Sequence, residues 1–247
     1  MKKILVGILI LLSGHLFTEA LAGQSTNHQY SIKDVLAFKR IGQVSASPDG
    51  KQVAFTVFRV QSAPSGRRWE YSLFLKDQQG KTRLLAQKRQ IVSLSWSDNG
   101  KRIAYLASGK KYQSLWIQDI KNHQLKGPIE FRQDIESFKW SPDGKSIGFI
   151  SGDIVNHLGR ESKLIDVEKQ VPKKRLYLIS VERRLQTQTP KPLTSSDYSV
   201  SDFDWDPNKG RSIAFAYQPH PGASHVNKNK INIIDLATLQ KRSIPYT

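Results

Sequence analysis

The chain has 247 residues, of which 38 are Lys or Arg and 21 are Asp or Glu, so its formal net charge is +17. Hydrophobic residues make up 38% of the sequence and charged residues 24%, an ordinary globular balance that excludes a disordered polycation and a bundle of membrane spans. The length suits one large domain or two small ones. The absence of cysteine excludes disulfides, thiolate metal sites and a cysteine nucleophile in this chain.

The N-terminus has the pattern of a secretory signal peptide. The first three residues include two lysines, residues 4–12 are apolar apart from one glycine, and residues 20–22 read Ala-Leu-Ala. The apolar run is far shorter than the ~20 residues of a membrane span. We therefore expect residues 1–22 to be removed during export, with cleavage near Ala22, and the mature protein to be periplasmic or secreted without a stable membrane span.

The positive charge is spread along the chain in short clusters instead of forming one basic segment. These clusters include Lys101-Arg102, Lys173-Lys174-Arg175 and Arg183-Arg184. We interpret them as solvated loops and strand edges, because lysine on an edge strand discourages edge-to-edge association. Together with the export signal, this spacing predicts no nucleic-acid partner.

An internal repeat dominates the remainder of the sequence. Residues 46–55, 96–105, 140–149 and 205–215 share a turn of the type Ser-Pro-Asp-Gly followed by a large aliphatic, a small and an aromatic residue. The structural repeat residues are Trp96, Trp140, Trp205, Pro48, Asp49, Gly50, Gly100, Pro142, Asp143, Gly144 and Gly210. Such a turn joins two antiparallel strands, and the tryptophan anchors the incoming one.

Two further strand patterns follow each hairpin, and four antiparallel strands per 40–50 residues are typical of a propeller blade. The prediction is an all-β fold, a β-propeller of about four blades of four strands that forms part of a larger propeller. The predicted organisation is a signal peptide at 1–22, a leader with a short helix at 23–43, and blades at about 44–90, 91–131, 135–195 and 199–247. The regular small residue after each turn indicates sheets stacked closely face to face. A charged insertion at 152–173 is expected to project from one rim.

A search for chemistry yields no catalytic, cofactor-binding or metal-ligating residue. There is no G-x-S-x-G nucleophile elbow, and the nearest look-alike, at 222–226, lacks the second glycine. His220 and His225 share a Pro/Gly loop, but two ligands are too few for the usual tetrahedral site. Asp49, Asp98 and Asp143 look like a catalytic set, yet turn geometry already explains them. We therefore expect no cofactor.

The four hairpins resemble the repeats of TolB-type periplasmic proteins and of the prolyl oligopeptidase family of serine peptidases. Residues 30–44, which run into the first hairpin, and residues 68–75 resemble the opening of exported dipeptidyl and acylaminoacyl peptidases of that family. The resemblance implies a seven- or eight-bladed propeller that caps an α/β-hydrolase domain and filters peptides by size. No position in this chain matches the family's catalytic Ser, Asp or His, so none is transferred.

Two functions therefore stay open. The first is the non-catalytic propeller portion of an exported prolyl oligopeptidase-type serine peptidase, in a truncated or split form, whose partners are a peptide substrate and a hydrolase domain. The second is a stand-alone TolB-like protein-interaction module, with four blades closed on themselves or dimerised. An incomplete ring predicts exposed apolar blade faces and concentration-dependent association.

Overall fold

The computed structural model describes residues 38–63, 66–88, 90–109, 111–131, 133–152, 173–183, 188–208, 210–219 and 229–245. Within these ranges the regular structure is entirely β, with sixteen strands in four antiparallel sheets of four. This confirms the predicted all-β fold with four sheets of four antiparallel strands. All four sheets lie in the compact unit that spans Lys39–Thr247. The predicted signal peptide and short helix lie outside the described residues, apart from the last residues of the leader.

The strands follow one another in chain order within each sheet. The first sheet contains β1 (Arg40–Ala46), β2 (Gln52–Ala63), β3 (Gly66–Asp77) and β4 (Thr82–Lys88). The second contains β5 (Ile91–Trp96), β6 (Arg102–Ser108), β7 (Gln113–Asp119) and β8 (Leu125–Glu130). The third contains β9 (Ile135–Trp140), β10 (Ser146–Gly152), β11 (Lys174–Ser180) and β12 (Lys191–Pro192). The fourth contains β13 (Ser199–Trp205), β14 (Ser212–Gln218), β15 (Lys230–Asp235) and β16 (Lys241–Ile244).

Consecutive sheets pack face to face and enclose three apolar clusters. Between the first and second sheets, Ala54 and Leu75 meet Ile103. The corresponding cluster between the second and third sheets contains Ala104 and Ile147. The next layer, between the third and fourth sheets, follows the same plan. Because side chains alternate across a strand, each second strand turns its small residue to one neighbour and its flanking large residues to the other.

The small residue of the repeat is needed where two sheets approach closely. A Cβ atom placed on Gly148 would lie 2.8 Å from Cε2 of Phe203 in the fourth sheet. Ala54 and Ala104 occupy the same register position in their sheets and are fully buried. A larger side chain at these positions would force the sheets apart, and such overpacking typically costs about 1–3 kcal/mol.

Candidate functional site

The repeated turn has the same hydrogen-bonded geometry in the first three sheets. In the first turn the Gly50 N–H donates to the Ser47 carbonyl at 2.9 Å, and Gly50 has a φ of 69°. The equivalent donations from Gly100 and Gly144 both measure 2.8 Å. A type I turn followed by a glycine with positive φ connects two antiparallel strands, so the motif sets the hairpin register.

A serine hydroxyl closes each of these turns by donating to a side-chain oxygen, which belongs to an aspartate in the first and third sheets. Ser141 Oγ donates to Asp143 Oδ1 at 2.6 Å, and the Lys145 N–H donates to the same oxygen at 2.9 Å. In the first sheet the Ser47 hydroxyl makes the equivalent 2.7 Å bond to Asp49. The second sheet has Asn99 at this position, and its side-chain oxygen accepts from Ser97 at 2.9 Å. The aspartates are therefore engaged in turn geometry.

These hydrogen bonds change the acidity of the turn carboxyls. The Ser47 hydroxyl, followed by the Lys51 N–H, holds the pKa of Asp49 below its usual range. For Asp143 partial burial works in the opposite direction, but the bonds from Ser141 and Lys145 outweigh it and lower the pKa. Both carboxyls are consequently charged at neutral pH, as their acceptor role requires.

The repeat tryptophans join each sheet to the one before it. Trp96 Nε1–H donates to the Ser45 carbonyl at 3.0 Å, and Trp140 Nε1–H donates to the Ser95 carbonyl at 3.2 Å. Trp205 makes the third such bond, 3.3 Å long, to the Lys139 carbonyl. Each acceptor is the residue immediately before the tryptophan position of its own sheet. The three tryptophans are between 5% and 8% exposed, so these are shielded bonds between sheets.

The first sheet has an open apolar face, which we call the leading face and define by Val44, Val53, Phe55, Val57 and Phe74. It lies opposite the face that packs on the second sheet, and the Phe55 and Phe74 rings stack on it at 5.6 Å between centroids. Val44 is 61% exposed. A groove of about 380 Å³ lies over the two phenylalanines.

The fourth sheet has a second open face, which we call the trailing face and define by Ala214, Ala216, Ile231 and Ile233. On its first strand Asp204 and Asp202 pair with Ala214 and Ala216, so two exposed carboxylates border this apolar surface. Register pairs Ala214 with Ile233 and Ala216 with Ile231, on the side opposite the contact with the third sheet. All four side chains are half-buried, and Ile244, which pairs with Ile231, is 38% exposed. The described residues thus leave one apolar face uncovered on the first sheet and one on the fourth.

The first strands of the third and fourth sheets bring opposite charges together. Lys139 Nζ lies 3.5 Å from Asp202 Oδ1 and 3.7 Å from Asp204 Oδ1, and its ammonium also donates to the Phe203 carbonyl. The two aspartate side chains are 73% and 78% exposed. One ammonium against two carboxylates leaves a net negative charge at a solvent-accessible place.

This acidic pair was not predicted from the sequence. A signal was present, because Asp202 and Asp204 flank a single residue on a predicted strand and therefore share a face. Their proximity to Lys139 depends on how the third and fourth sheets pack, which the strand pattern does not specify.

Several candidates named from the sequence lie outside the described residues, namely the look-alike at 222–226, His220, His225 and most of the insertion at 152–173. Among the residues that are described, no group of three His, Asp or Glu side chains converges as a metal site would require. The described part of the chain also has no helix with the length and hydropathy to cross a bilayer.

The fold is shared with solved structures of TolB and of several peptidases. Acylaminoacyl peptidase from Pyrococcus horikoshii superimposes with a TM-score of 0.61 at 16% identity, over 88% of this chain and 34% of that protein. TolB from Acinetobacter baumannii gives a TM-score of 0.50 at 18% identity, over 85% of this chain and 44% of TolB. The four sheets are blades of a β-propeller.

A prolyl endopeptidase shares the same arrangement of blades, with a TM-score of 0.56 at 10% identity over 85% of this chain and 30% of the endopeptidase. The chain thus spans less than half the length of each of these three proteins. No protein-family profile matches the sequence, and no curated protein is significantly similar to it. At these identities the likeness concerns the fold, and function has to be argued from the blades themselves.

Proposed function

We propose that the blades are the non-catalytic, peptide-binding portion of an exported peptidase of the prolyl oligopeptidase type. The observation that carries this proposal is the acidic pair, Asp202 and Asp204, beside Lys139 on the first strands of blades three and four. The fold shared with acylaminoacyl peptidase and prolyl endopeptidase supports the peptidase context.

The chemistry of this group suits the amino terminus of a peptide. Two exposed carboxylates with one lysine between them can accept a second ammonium group, which would complete the charge balance. The bonds would be charge-assisted, and such bonds are about twice as strong as neutral ones. Because the side chains are exposed, each ion pair would contribute only about 0.2–1 kcal/mol. We therefore expect weak, exchangeable binding, which is appropriate for substrate admission.

The hydrolytic step is assigned to a separate α/β-hydrolase domain, as the family resemblance implies. A serine-directed fluorophosphonate probe should consequently leave this chain unlabelled. Labelling that is lost on replacing a single serine would contradict the proposal. Translation of the gene beyond the Thr247 codon offers an independent check, because a G-x-S-x-G followed by Asp and His is expected there.

Peptide binding can be measured by fluorescence anisotropy with dye-labelled peptides that carry either a free or an acetylated amino terminus. We expect acetylation to weaken binding about three- to tenfold, in line with one or two exposed ion pairs. Asp202→Asn combined with Asp204→Asn should abolish that difference, whereas Asp98→Asn, an exposed turn aspartate of blade two, should preserve it. Equal affinity for the two peptides would contradict the assigned site.

The alternative is a protein-interaction module like TolB, and the shared fold with TolB favours it as the second candidate. In that case a folded partner, instead of a short peptide, is the ligand. Failure of all peptides to bind at millimolar concentration would favour this alternative over the peptidase role.

Export is part of both functions and is supported by the pattern of residues 1–22. N-terminal sequencing of the protein recovered from a bacterial periplasm should begin at Gly23. Recovery of the intact N-terminus from the cytoplasm would contradict export.

A further inference from the structure

Each contact between successive blades is made by two different faces. The leading face is equivalent to one of them and the trailing face to the other. The leading face repeats the pattern of buried faces in the later blades: its Phe55–Phe74 pair corresponds in register to Tyr105–Trp116 in blade two. Tyr105 is fully buried against blade one, whereas Phe55 is only half-buried. The leading face therefore has the composition of a surface that packs on a preceding blade.

The trailing face repeats the opposite half of the contact. Its small–large pair, Ala214 with Ile233, corresponds in register to Ala104 with Ile117 in blade two. Ala104 and Ile117 are buried beneath blade three, with exposures of 0% and 1%. The trailing face is thus built to be covered by the leading face of a further blade.

From this complementarity we infer that, for this 247-residue chain, the trailing face of one copy packs on the leading face of a second, and that the described blades of two copies close an eight-bladed ring. The contact is heterologous, because two different surfaces meet. Such contacts close into a ring when a whole number of equal rotations from copy to copy adds up to a full turn. Propellers have about four to eight blades. Two copies of the four described blades reach the upper end of that range, whereas three copies would exceed it.

The contact between two copies, which we call the seam, would lack one hydrogen bond that the contacts within the chain contain. Ala46 stands where later blades have Trp96, Trp140 and Trp205, so blade one has no indole to donate to a preceding strand. The acceptor at the other side of the seam is the carbonyl of Asp204, which is equivalent to those of Ser45, Ser95 and Lys139. The seam is therefore expected to be weaker than the three internal contacts. This inference does not rest on the peptide-binding function, but Asp202 and Asp204 lie on the trailing side of blade four, opposite Ala216 and Ala214, so dimerisation should compete with peptide binding at the acidic pair.

The first experiment is sedimentation equilibrium of the full chain over a range of concentrations. A reversible transition from the 28.0 kDa chain to a species of twice that mass is expected. A monomer at every concentration, or open polymers without a closed dimer, would overturn the inference.

Substitutions on the two faces test whether the contact is head to tail. Val44→Glu on the leading face and Ile231→Lys on the trailing face should each weaken dimerisation at least about 100-fold, because a charge is buried without a partner. Leu125→Glu, at an exposed position in blade two, is the matched control and should not change the mass distribution. Thermal unfolding of the variants at low concentration verifies that they are folded.

An equimolar mixture of the Val44→Glu and Ile231→Lys variants provides the sharpest result. One seam of the mixed dimer is then unmodified and the other places Glu against Lys, so the mixture should dimerise although neither variant does so alone. A symmetric contact between two leading faces would be abolished by Val44→Glu, unaffected by Ile231→Lys, and not restored by mixing. That outcome would overturn the head-to-tail arrangement.

A gain of association is the complementary test. Ala46→Trp supplies the missing indole and should tighten dimerisation about tenfold, because it adds a hydrogen bond and buries an aromatic ring. Ala46→Phe supplies a ring without the N–H donor and should tighten it less. Equal effects of the two variants would contradict the proposed bond to the Asp204 carbonyl, and a loss of dimer with both would contradict the seam itself.

Discussion

At the scale of the residue, the turn aspartates connect local geometry to acid stability. The folded-state pKa of Asp143 is lowered against its ordinary value of 3.8, with the hydrogen bonds from Ser141 and Lys145 as the cause. A lowered pKa means that the unfolded chain binds protons more readily. The stabilisation is therefore present above pH 3.8 and is lost as pH falls through the lower folded-state pKa.

Asp143→Asn tests this directly, since Asn99 shows that an asparagine can occupy the equivalent turn position. The variant should fold normally at neutral pH, and its melting temperature should decrease less than that of the wild type as pH is lowered from about 6 to about 2. Asp98→Asn removes one exposed charge from another turn and serves as the control. A variant that loses as much stability in acid as the wild type would contradict the assigned role.

A second prediction at this scale concerns the phenol of Tyr105. The side chain is fully buried, its hydroxyl has no hydrogen-bond partner among the described residues, and burial raises its pKa far above the ordinary value. The other three blades have phenylalanine at this position of the repeat. Because an unsatisfied buried hydroxyl costs about 1–3 kcal/mol, Tyr105→Phe should increase the free energy of unfolding in urea titrations.

The control for this substitution is Tyr198→Phe, which removes a hydroxyl that accepts a 3.2 Å bond from Lys241. We expect the control to be neutral or slightly destabilising. A Tyr105→Phe variant less stable than the wild type would show that the hydroxyl has a partner in solution.

At the scale of the structural element, the tryptophan bond between blades is the main connection that sequence repeats alone do not reveal. Trp140→Phe removes the N–H that donates to the Ser95 carbonyl, while Trp116→Phe removes a buried indole N–H that has no partner within the described part of the chain. Both substitutions delete the same atoms. Trp140→Phe should therefore be the more destabilising by about 1 kcal/mol in chemical denaturation, which is the net value of one hydrogen bond. Equal losses would argue against a stabilising contribution from the bond.

The repeat in the sequence was sufficient to predict the sheets, because each turn specifies a hairpin through local physics. Gly50 and its counterparts need positive φ, and the flanking strands alternate visibly. The third strand of blade one, β3, is longer than its counterparts in the other blades and extends back to Gly66. That extension is supported by the Phe58–Tyr71 and Phe58–Trp69 ring contacts. Such cross-strand contacts have no periodic signal in the sequence.

The contacts between blades were predictable only in part. A small residue after each turn indicated close stacking, and the 2.8 Å approach of Phe203 to the Cβ position of Gly148 is consistent with it. The acceptor of each indole N–H and the position of Lys139 beside Asp202 depend on the rotation from one blade to the next. Rotation between sheets is a property of tertiary packing and leaves no pattern in a single chain.

At the scale of the whole molecule, one contact recurs between successive blades and leaves unmatched halves at the two ends. Ile103, Ile147 and Ile213 are fully buried against the preceding blade, whereas Val53, at the equivalent position of blade one, is only half-buried. Blade one and blade four each keep a face that can pack on a further blade. Its stability should approximate a sum of blade and interface contributions, as in other repeat proteins.

Thiol labelling of single-cysteine variants tests this repeated contact most directly, and the natural absence of cysteine makes every reading specific. Val53→Cys, Ile103→Cys, Ile147→Cys and Ile213→Cys are each combined with Ile231→Lys, so that association does not protect the leading face. We predict rapid labelling at position 53 and slow labelling, limited by unfolding, at the other three. Comparable rates at all four positions would contradict the stacked arrangement of blades.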